Sequence, residues 1–577
     1  MKNKIYISVF FVFAFAWLLS GINWGLMSDR RKTLVEEGIE DKKKLYSEMI
    51  FERENKYNKE EYIFSRWGKE IKDNTIGKSQ LFQIIDYSAG YNLKGFYSLI
   101  RPFYLRSYHQ DEQQAIQPIS NMNPKKLDFN PKFYIYGGGY IYPTAFSLGI
   151  FNILGFFKVK TDLNYYFENP DEMAGMYIAG RFAVVISIFL QIVLLFLLCR
   201  KLTTEKFALF LCLTYLVSPL VTANKNLMKP HLFAQFFSLV MLYYVYNMSI
   251  NKNLKFKFSI ISGLFIGFGA GCNMLNAVLY LIPAGMIVLE NYNFAGKLKF
   301  LIITGVSVIA GYFIVNPYVI FDLKNYYYEM IYITHYSGEA KPAFSNFFKM
   351  TLMKYLNFYL IVLIFCYIIL LKKIKMIIKS PFSKIIISST FFVAIFLSYM
   401  AYKKVGTYSL YYMPTLYPLV IITPALLYKS FSDIERKLVF LLISVWMICN
   451  LFVSVQYQMD FHVDGSEKSH RITAGEWINK NIKSGTDVGI IDCQPQDIPA
   501  FGFSKYKLSI YPSKYNSDID VSNSEYIICS DYSYRMVWVD ELVKSRKYEI
   551  IKVFKSDRFY YRLWEQLNMP IYILKKI

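Results

Sequence analysis

Long apolar stretches separated by short polar ones run along most of this chain. The stretches include FLQIVLLFLL from residue 189, YLIVLIFCYIILL from residue 359 and KLVFLLISVWMICNLFVSV from residue 437. Apolar runs of about 18 to 22 residues are long enough to cross a hydrocarbon core about 30 Å thick. The pattern therefore predicts a polytopic α-helical membrane protein with roughly 11 to 13 transmembrane helices.

The balance of charges fits the same picture. Only 19% of the residues are charged, against about 25% in a soluble domain, and the net charge is +22. So basic a balance also occurs in nucleic-acid-binding proteins. Here, however, the lysines fall mostly in short clusters between apolar runs, as at 252–257 and 372–384. Clusters of this kind follow the positive-inside rule, so we predict contact with membrane lipid and no nucleic-acid partner.

The same rule orients the chain in the cell (inner or plasma) membrane. The first apolar run ends near Trp24 without a small-residue cleavage site, so we interpret it as a first crossing with a cytoplasmic amino end. Residues 26–138 then form a large external loop. The next segment, 139–157, either lies at the outer interface without crossing the membrane, which we favour, or crosses it. If it crosses, the alternation of the later loops requires one further crossing. Continued alternation places the carboxyl end outside.

The chain changes character near residue 460. RITAGEWINKNI and VWVDELVKSR have helical spacing, whereas DVGIIDC, EYIICS, YEIIKVF and IYILKKI are typical of short strands. We therefore predict a transmembrane domain at 1–459 and a small external α/β domain at 460–577. Cys493 and Cys529, in that tail, either pair after export or remain two thiols.

The external loop carries the most distinctive chemistry of the sequence. His109, Asp111 and Glu112 lie together in SYHQDEQQ, ahead of a stretch rich in proline, asparagine and tyrosine. Acidic residues in loops are commonly solvated, and aspartate also caps helices. The functional interpretation is that Asp111 and Glu112 are catalytic, because a carboxylate at the water interface can accept a proton from a hydroxyl group.

The arrangement resembles the GT-C superfamily of membrane glycosyltransferases, in its protein O-mannosyltransferase and aminoarabinose transferase branch. The resemblance rests on HQDEQQ at 109–114, on LDFNPKFYIYGGGYIYP at 127–143 and on AGRFAVVISIFLQIVLLFLLCRKL at 179–202. NPYVIFD at 316–322 and the opening of the α/β tail also match. The chain departs from the family pattern at GGGYIYP, where relatives often have Lys or His followed by Pro-Pro-Leu.

The resemblance implies a GT-C-like fold and transfer of a sugar from a polyprenyl-phosphate-linked donor to a glycan, lipid or protein acceptor on the external face. No cofactor is implied, and the need for a divalent metal stays open. Cations would face the departing phosphate, and tyrosine rings would stack on the sugar. Interfacial snorkelling and aromatic belts explain the same residue types. The candidate substrate-binding residues are His109, Tyr136, Tyr140, Arg181, Lys225, Lys229 and His231.

Two other classes of protein have comparable sequences. An O-antigen ligase or polymerase is also a multispan envelope enzyme with a large external loop. A polytopic transporter or flippase is the second alternative, although such proteins usually carry ionisable residues at mid-membrane. The apolar segments here have almost no charges at their centres, which favours the glycosyltransferase.

Overall fold

The computed structural model describes most of the chain. The described residues are 2–52, 93–250, 255–327, 329–330, 359–375, 383–402, 409–466, 468–491, 495–511, 521–530, 536–555, 567 and 569–577. They divide into two compact units. The helical unit comprises Met1–Ser20, Ala115–Ser147 and Arg181–Tyr457, and the mixed unit comprises Gly21–Gln114, Leu148–Gly180 and Gln458–Ile577.

Helices dominate the described residues. In chain order they are α1 (Lys2–Leu19), α2 (Asp29–Glu36), α3 (Leu93–Leu105), α4 (Gln113–Asn121), α5 (Gly138–Ile153), α6 (Leu163–Glu168), α7 (Pro170–Leu202), α8 (Glu205–Leu216), α9 (Pro219–Asn224), α10 (Pro230–Phe233), α11 (Gln235–Ile250), α12 (Lys255–Ala270), α13 (Leu281–Val288), α14 (Phe294–Val315), α15 (Tyr359–Lys372), α16 (Ser383–Tyr402), α17 (Ser409–Leu427), α18 (Asp433–Asp464), α19 (His470–Asn481) and α20 (Met536–Lys544).

Several of these helices have the length and composition of membrane spans. Within the described ranges, Pro170–Leu202, Pro230–Ile250, Phe294–Val315 and Asp433–Asp464 are each long and apolar enough to cross a membrane. Five shorter apolar helices accompany them, among them Ile5–Leu19 and Phe256–Ala270. Helix α5, in the segment whose crossing the sequence left open, has 16 residues. That is fewer than the roughly 20 that a perpendicular crossing requires.

Small residues bring two helices of the helical unit into close contact. A Cβ atom on Gly263 or Gly267 of α12 would lie 2.5 Å from Thr304 O or 2.2 Å from Val308 O of α14. On the opposing helix, a Cβ atom on Gly311 would lie 2.4 Å from Leu264 O. Glycines at a spacing of four let helix backbones approach in this way, which is a common device in membranes. The glycine-rich run GLFIGFGAG therefore forms a packing face.

The mixed unit contains a five-stranded sheet in the order β2-β1-β3-β5-β4. Strand β1 (Asp487–Ile491) is parallel to its neighbours β2 (Lys507–Tyr511) and β3 (Tyr526–Ser530). Strand β5 (Ile571–Lys576) runs antiparallel to β3 and to β4 (Tyr548–Phe554). The four predicted strands are all present, and β2 is an additional one. The predicted fold class, a helical membrane protein with a small C-terminal α/β region, is confirmed.

The largest core of the mixed unit draws on distant parts of the sequence. It combines apolar side chains of the external loop, such as Val35 and Phe103, with Ile478 of α19 and Ile490 of β1. The sequence places these parts in separate domains, divided near residue 460. In the structure, the compact units change between Tyr457 and Gln458, inside α18, and the loop and the tail share one core.

Candidate functional site

The acidic motif forms a short loop that is hydrogen-bonded within itself. Gln110–Glu112 make one turn of 3-10 helix, and His109 caps it, because its Nδ1 atom accepts a hydrogen bond of 3.2 Å from the Asp111 backbone N–H. The backbone N–H of His109 in turn donates to Ser107 Oγ at 3.1 Å. We call residues 107–112 the acidic loop. His109, a predicted substrate-binding residue, is buried there and helps to hold the loop's shape.

The two acidic side chains of this loop have different surroundings. Glu112 is fully buried, and its Oε2 atom accepts a hydrogen bond of 2.5 Å from the Ser107 hydroxyl. Asp111 is only partly buried. The sequence predicts that only one carboxylate of an adjacent pair can face an acceptor. In the structure, Asp111 is the more accessible of the two, while the Glu112 carboxylate is hydrogen-bonded inside the loop.

Two buried arginines lie against the tyrosine of the same loop. The Cζ atoms of Arg471 and Arg31 are 4.2 Å and 5.0 Å from the centroid of the Tyr108 ring. A guanidinium group over an aromatic ring is attracted by the ring quadrupole, and more strongly where water is excluded. The Tyr108 hydroxyl is hydrogen-bonded to Ser469, and burial raises the pKa of this hydroxyl. The cluster gives no signal in the sequence, because its members are distant along the chain.

An ion pair in the same cluster fixes one of these arginines. Arg471 Nη1 lies 2.9 Å and 2.8 Å from the two carboxylate oxygens of Asp464, and Nη2 donates to Gln496 O at 2.9 Å. The indole N–H of Trp24 also donates to Asp464, at 2.8 Å. Burial lowers the pKa of Arg31 to about 10, so its guanidinium group remains charged at neutral pH. The bonds between Arg471 and Asp464, and those to Gln496 and Trp24, compensate for the desolvation of the charges on Arg471 and Asp464.

In the helical unit, the predicted tyrosines follow a triple glycine. A Cβ atom on Gly137 would lie 1.8 Å from Gly271 O, and one on Gly138 would lie 2.1 Å from Val315 O. The Gly139 backbone N–H donates to Gly271 O. The GGG sequence therefore lets the start of α5 approach the ends of α12 and α14 closely.

Tyr136 and Tyr140, the candidate sugar-stacking residues, are both buried next to this contact. Their rings pack edge to face, with centroids 6.1 Å apart, and Tyr140 makes a second such contact with Phe233 at 5.4 Å. This geometry is typical of aromatic packing in a core. It shows what the two rings contact in the protein, and their role toward a sugar stays a prediction.

The predicted cations of the helical unit lie in three environments. Lys225 is fully buried, and its ammonium group donates to the backbone carbonyls of Leu18 and Ser20 at the end of α1. The last carbonyls of a helix have no backbone N–H partner further along the same helix, so a cation that bonds carbonyls at this end caps α1. Arg181 is buried within α7, and Lys229 is buried just before α10.

His231 is the most accessible of these basic residues, and a neighbour orients it. The Asn273 side-chain amide nitrogen lies 2.9 Å from His231 Nδ1. With the amide donating to Nδ1, the neutral ring carries its proton on Nε2. Asn273 itself caps the 3-10 helix Met274–Tyr280 through a bond to the Leu275 N–H. His231 is thus held as a potential Nε2 hydrogen-bond donor.

A pair of acids that the sequence analysis did not select lies near residue 134. Glu329 is buried and accepts hydrogen bonds from the backbone N–H groups of Tyr134, at 2.5 Å, and Ile135. Burial is the main cause that raises the pKa of Glu329 to about 7. The Tyr134 hydroxyl donates to Asp322 Oδ2 at 2.9 Å. In the sequence, Asp322 ends NPYVIFD, one of the stretches that carry the resemblance, whereas Glu329 lies in NYYYEM, which no motif distinguishes.

Metal binding was left open by the sequence. Across the described ranges, no group of three or more His, Cys, Asp and Glu side chains is arranged to hold a metal ion. Cys529 is buried in β3, and Cys493 lies outside the described residues.

Comparisons with known proteins give a similarity only among solved structures. No protein-family model matches the chain, and no curated protein does. The chain is similar to the oligosaccharyltransferase of Archaeoglobus fulgidus in its apo form, at 13% identity and a TM-score of 0.39, over 80% of this chain and 71% of that one. The complex of that protein with Zn and sulfate gives 13% identity and a TM-score of 0.35, over 69% of this chain.

The chain spans 59% of the length of the protein in that complex.

Proposed function

We propose that the chain is an integral membrane glycosyltransferase with Asp111 as its acceptor-activating carboxylate. In the proposed reaction, an acceptor hydroxyl attacks the anomeric carbon of a polyprenyl-phosphate-linked sugar. The bond between that carbon and the phosphate oxygen breaks, polyprenyl phosphate leaves, and the hydroxyl proton passes to the Asp111 carboxylate. The acidic loop and the tail lie on the external side of the membrane in this proposal.

The difference between the two carboxylates carries this proposal. The Glu112 carboxylate is buried and bonded to Ser107, whereas Asp111 is partly exposed on a turn whose shape is held by His109. A base must be close to the proton that it accepts, and much of its effect comes from being held in the right place. Asp111 meets both conditions better than Glu112. Arg181, Lys229 and His231 remain candidates for the donor phosphate.

The test is replacement of Asp111 by Asn, which keeps size and hydrogen bonding but removes the negative charge. Loss of a general base typically lowers the rate about 10²- to 10⁴-fold, so transfer by Asp111→Asn should nearly cease while expression stays normal. Glu112→Gln should lose less activity, provided that the chain folds. Asp540→Asn is the matched control, because Asp540 is an exposed acid of the same unit.

The assay uses membranes with their endogenous acceptors and a panel of polyprenyl phosphates carrying radiolabelled mannose, glucose or arabinose. Movement of label from the lipid fraction to an acceptor fraction measures transfer. Near-normal transfer by Asp111→Asn would refute the assigned base. If wild-type membranes transferred none of the sugars, the proposed reaction itself would fail.

A further inference from the structure

The hydrogen bonds within the acidic loop fix its conformation, and contacts with other segments of the mixed unit fix its orientation. The backbone N–H of Tyr108 donates to Gly25 O at 2.9 Å. Gly25 has a φ of +62°, and a Cβ atom there would lie 2.8 Å from Tyr108 Cδ2. Only glycine adopts this conformation without strain and leaves room for the ring. The loop is therefore joined to residues 21–28 at Tyr108, three positions before Asp111.

The Tyr108 ring also contacts two other segments of the mixed unit. It meets Arg31 of α2 and Arg471 of α19, and its hydroxyl meets Ser469. Arg471 is bonded to Asp464, and Arg31 Nη2 donates to Pro102 O at 3.3 Å. The partners of the ring are therefore themselves fixed. Each is buried, so water does not compete strongly for these contacts.

From this geometry we propose that Tyr108, held by Arg31 and Arg471, is a positioning residue for Asp111, and that the C-terminal region thereby takes part in catalysis. The inference rests on the proposed function, because it needs Asp111 to be the base. Tyr108 and the two arginines touch no reacting atom in this scheme. They act by fixing the direction in which the turn at 110–112 presents its carboxylate.

Replacement of Tyr108 tests the inference more cleanly than replacement of Arg471, because loss of Arg471 would leave Asp464 with a buried charge and could prevent folding. Tyr108→Leu removes the ring and both cation contacts. Tyr108→Phe keeps the ring and loses only the hydroxyl bond to Ser469. Tyr511→Leu is the matched control, since Tyr511 is also a buried tyrosine of the mixed unit, bonded to Ser524 at 2.8 Å.

We expect Tyr108→Leu to lower kcat about ten- to hundred-fold, since a small displacement of a catalytic group can cost this much. The KM for the donor should stay within about two-fold of wild type, because binding of the donor is not changed. Tyr108→Phe should restore most of the turnover, and Tyr511→Leu should keep wild-type kcat per folded molecule. Equal losses in Tyr108→Leu and Tyr511→Leu, or wild-type kcat in Tyr108→Leu, would overturn the inference.

Hydrogen exchange provides a readout that is independent of activity. In purified full-length protein, Tyr108→Leu should speed amide exchange at 107–112 and leave β1 unchanged, whereas Tyr108→Phe should exchange at 107–112 nearly as slowly as wild type. Unchanged exchange at 107–112 in Tyr108→Leu would contradict the attachment itself. If Asp111→Asn is active, the assignment of Asp111 as the base fails, and the positioning role fails with it. If Asp111→Asn is inactive and Tyr108→Leu has wild-type kcat, only the positioning role fails.

Discussion

The buried carboxyl group of Glu329 makes the stability of the helical unit depend on pH. Burial raises its pKa from 4.5 in the unfolded chain to about 7 in the folded protein. Between these values the folded state therefore holds one proton more than the unfolded state. The contribution of Glu329 to the free energy of unfolding is fully present below pH 4.5 and is lost as the pH rises to about 7.

The size of the effect follows from the difference between the two pKa values. One pKa unit corresponds to about 1.4 kcal/mol, so the raised pKa of Glu329 costs about 3 kcal/mol of stability between pH 4.5 and pH 7. The unfolding entropy of 577 residues is roughly 1.2 kcal/mol/K at about 2.1 cal/mol/K per residue. The Tm should accordingly fall by about 3 °C if the whole chain unfolds together.

Glu329→Gln removes this titration, and its amide oxygen can still accept a bond from the Tyr134 backbone N–H. Thermal unfolding in detergent, from pH 5 to pH 8, compares the Tm of purified wild type with that of purified Glu329→Gln. The Tm of wild type should fall relative to that of Glu329→Gln as the pH rises. Glu549→Gln, at an exposed position of β4, should follow wild type. Parallel curves for wild type and Glu329→Gln would refute the reasoning.

Two further predictions concern the packing of the helical unit. Lys225→Met removes the ammonium group that bonds the carbonyls of Leu18 and Ser20. This change should lower the free energy of unfolding by on the order of 1–3 kcal/mol and lower the Tm, while the KM for the donor stays constant. A raised KM at unchanged Tm would instead support phosphate binding by Lys225. Gly137→Ala should cost about 1–3 kcal/mol because its Cβ atom meets Gly271 O, whereas Gly149→Ala, with open space around it, should leave the Tm equal or higher.

The parts of the fold that could be predicted from sequence are those encoded by local pattern. The runs DVGIIDC, EYIICS, YEIIKVF and IYILKKI each contain a strand of the sheet. Strand β2 escapes prediction because KLSIY is only five residues long and is only partly buried before Tyr511. The other edge strand, β4, is also partly exposed, but its seven-residue run YEIIKVF is long and apolar enough to indicate a strand.

The candidate site was predictable only where its residues adjoin one another. Asp111 and Glu112 can be selected from HQDEQQ, but the bond from Ser107 that separates their roles depends on how the turn closes. The role of Lys225, by contrast, could not be predicted from its neighbours in the sequence. A lysine at a helix end is typical of an interfacial cation, and only the three-dimensional contact with α1 shows that it caps a helix. Contacts between distant segments carry no signal in a single sequence.

The mixed unit is assembled from three separate stretches of chain, and this sets when it can form. Trp24 and Asp464 are bonded to each other although they are 440 positions apart in the sequence. At a synthesis rate of about 5–20 residues per second, roughly 20 to 90 s pass between the appearance of one and of the other. Throughout that interval the first stretch lacks the partners that bury its apolar side chains. The contacts of the acidic loop with residues 464–471 can therefore form only after most of the chain has been synthesised.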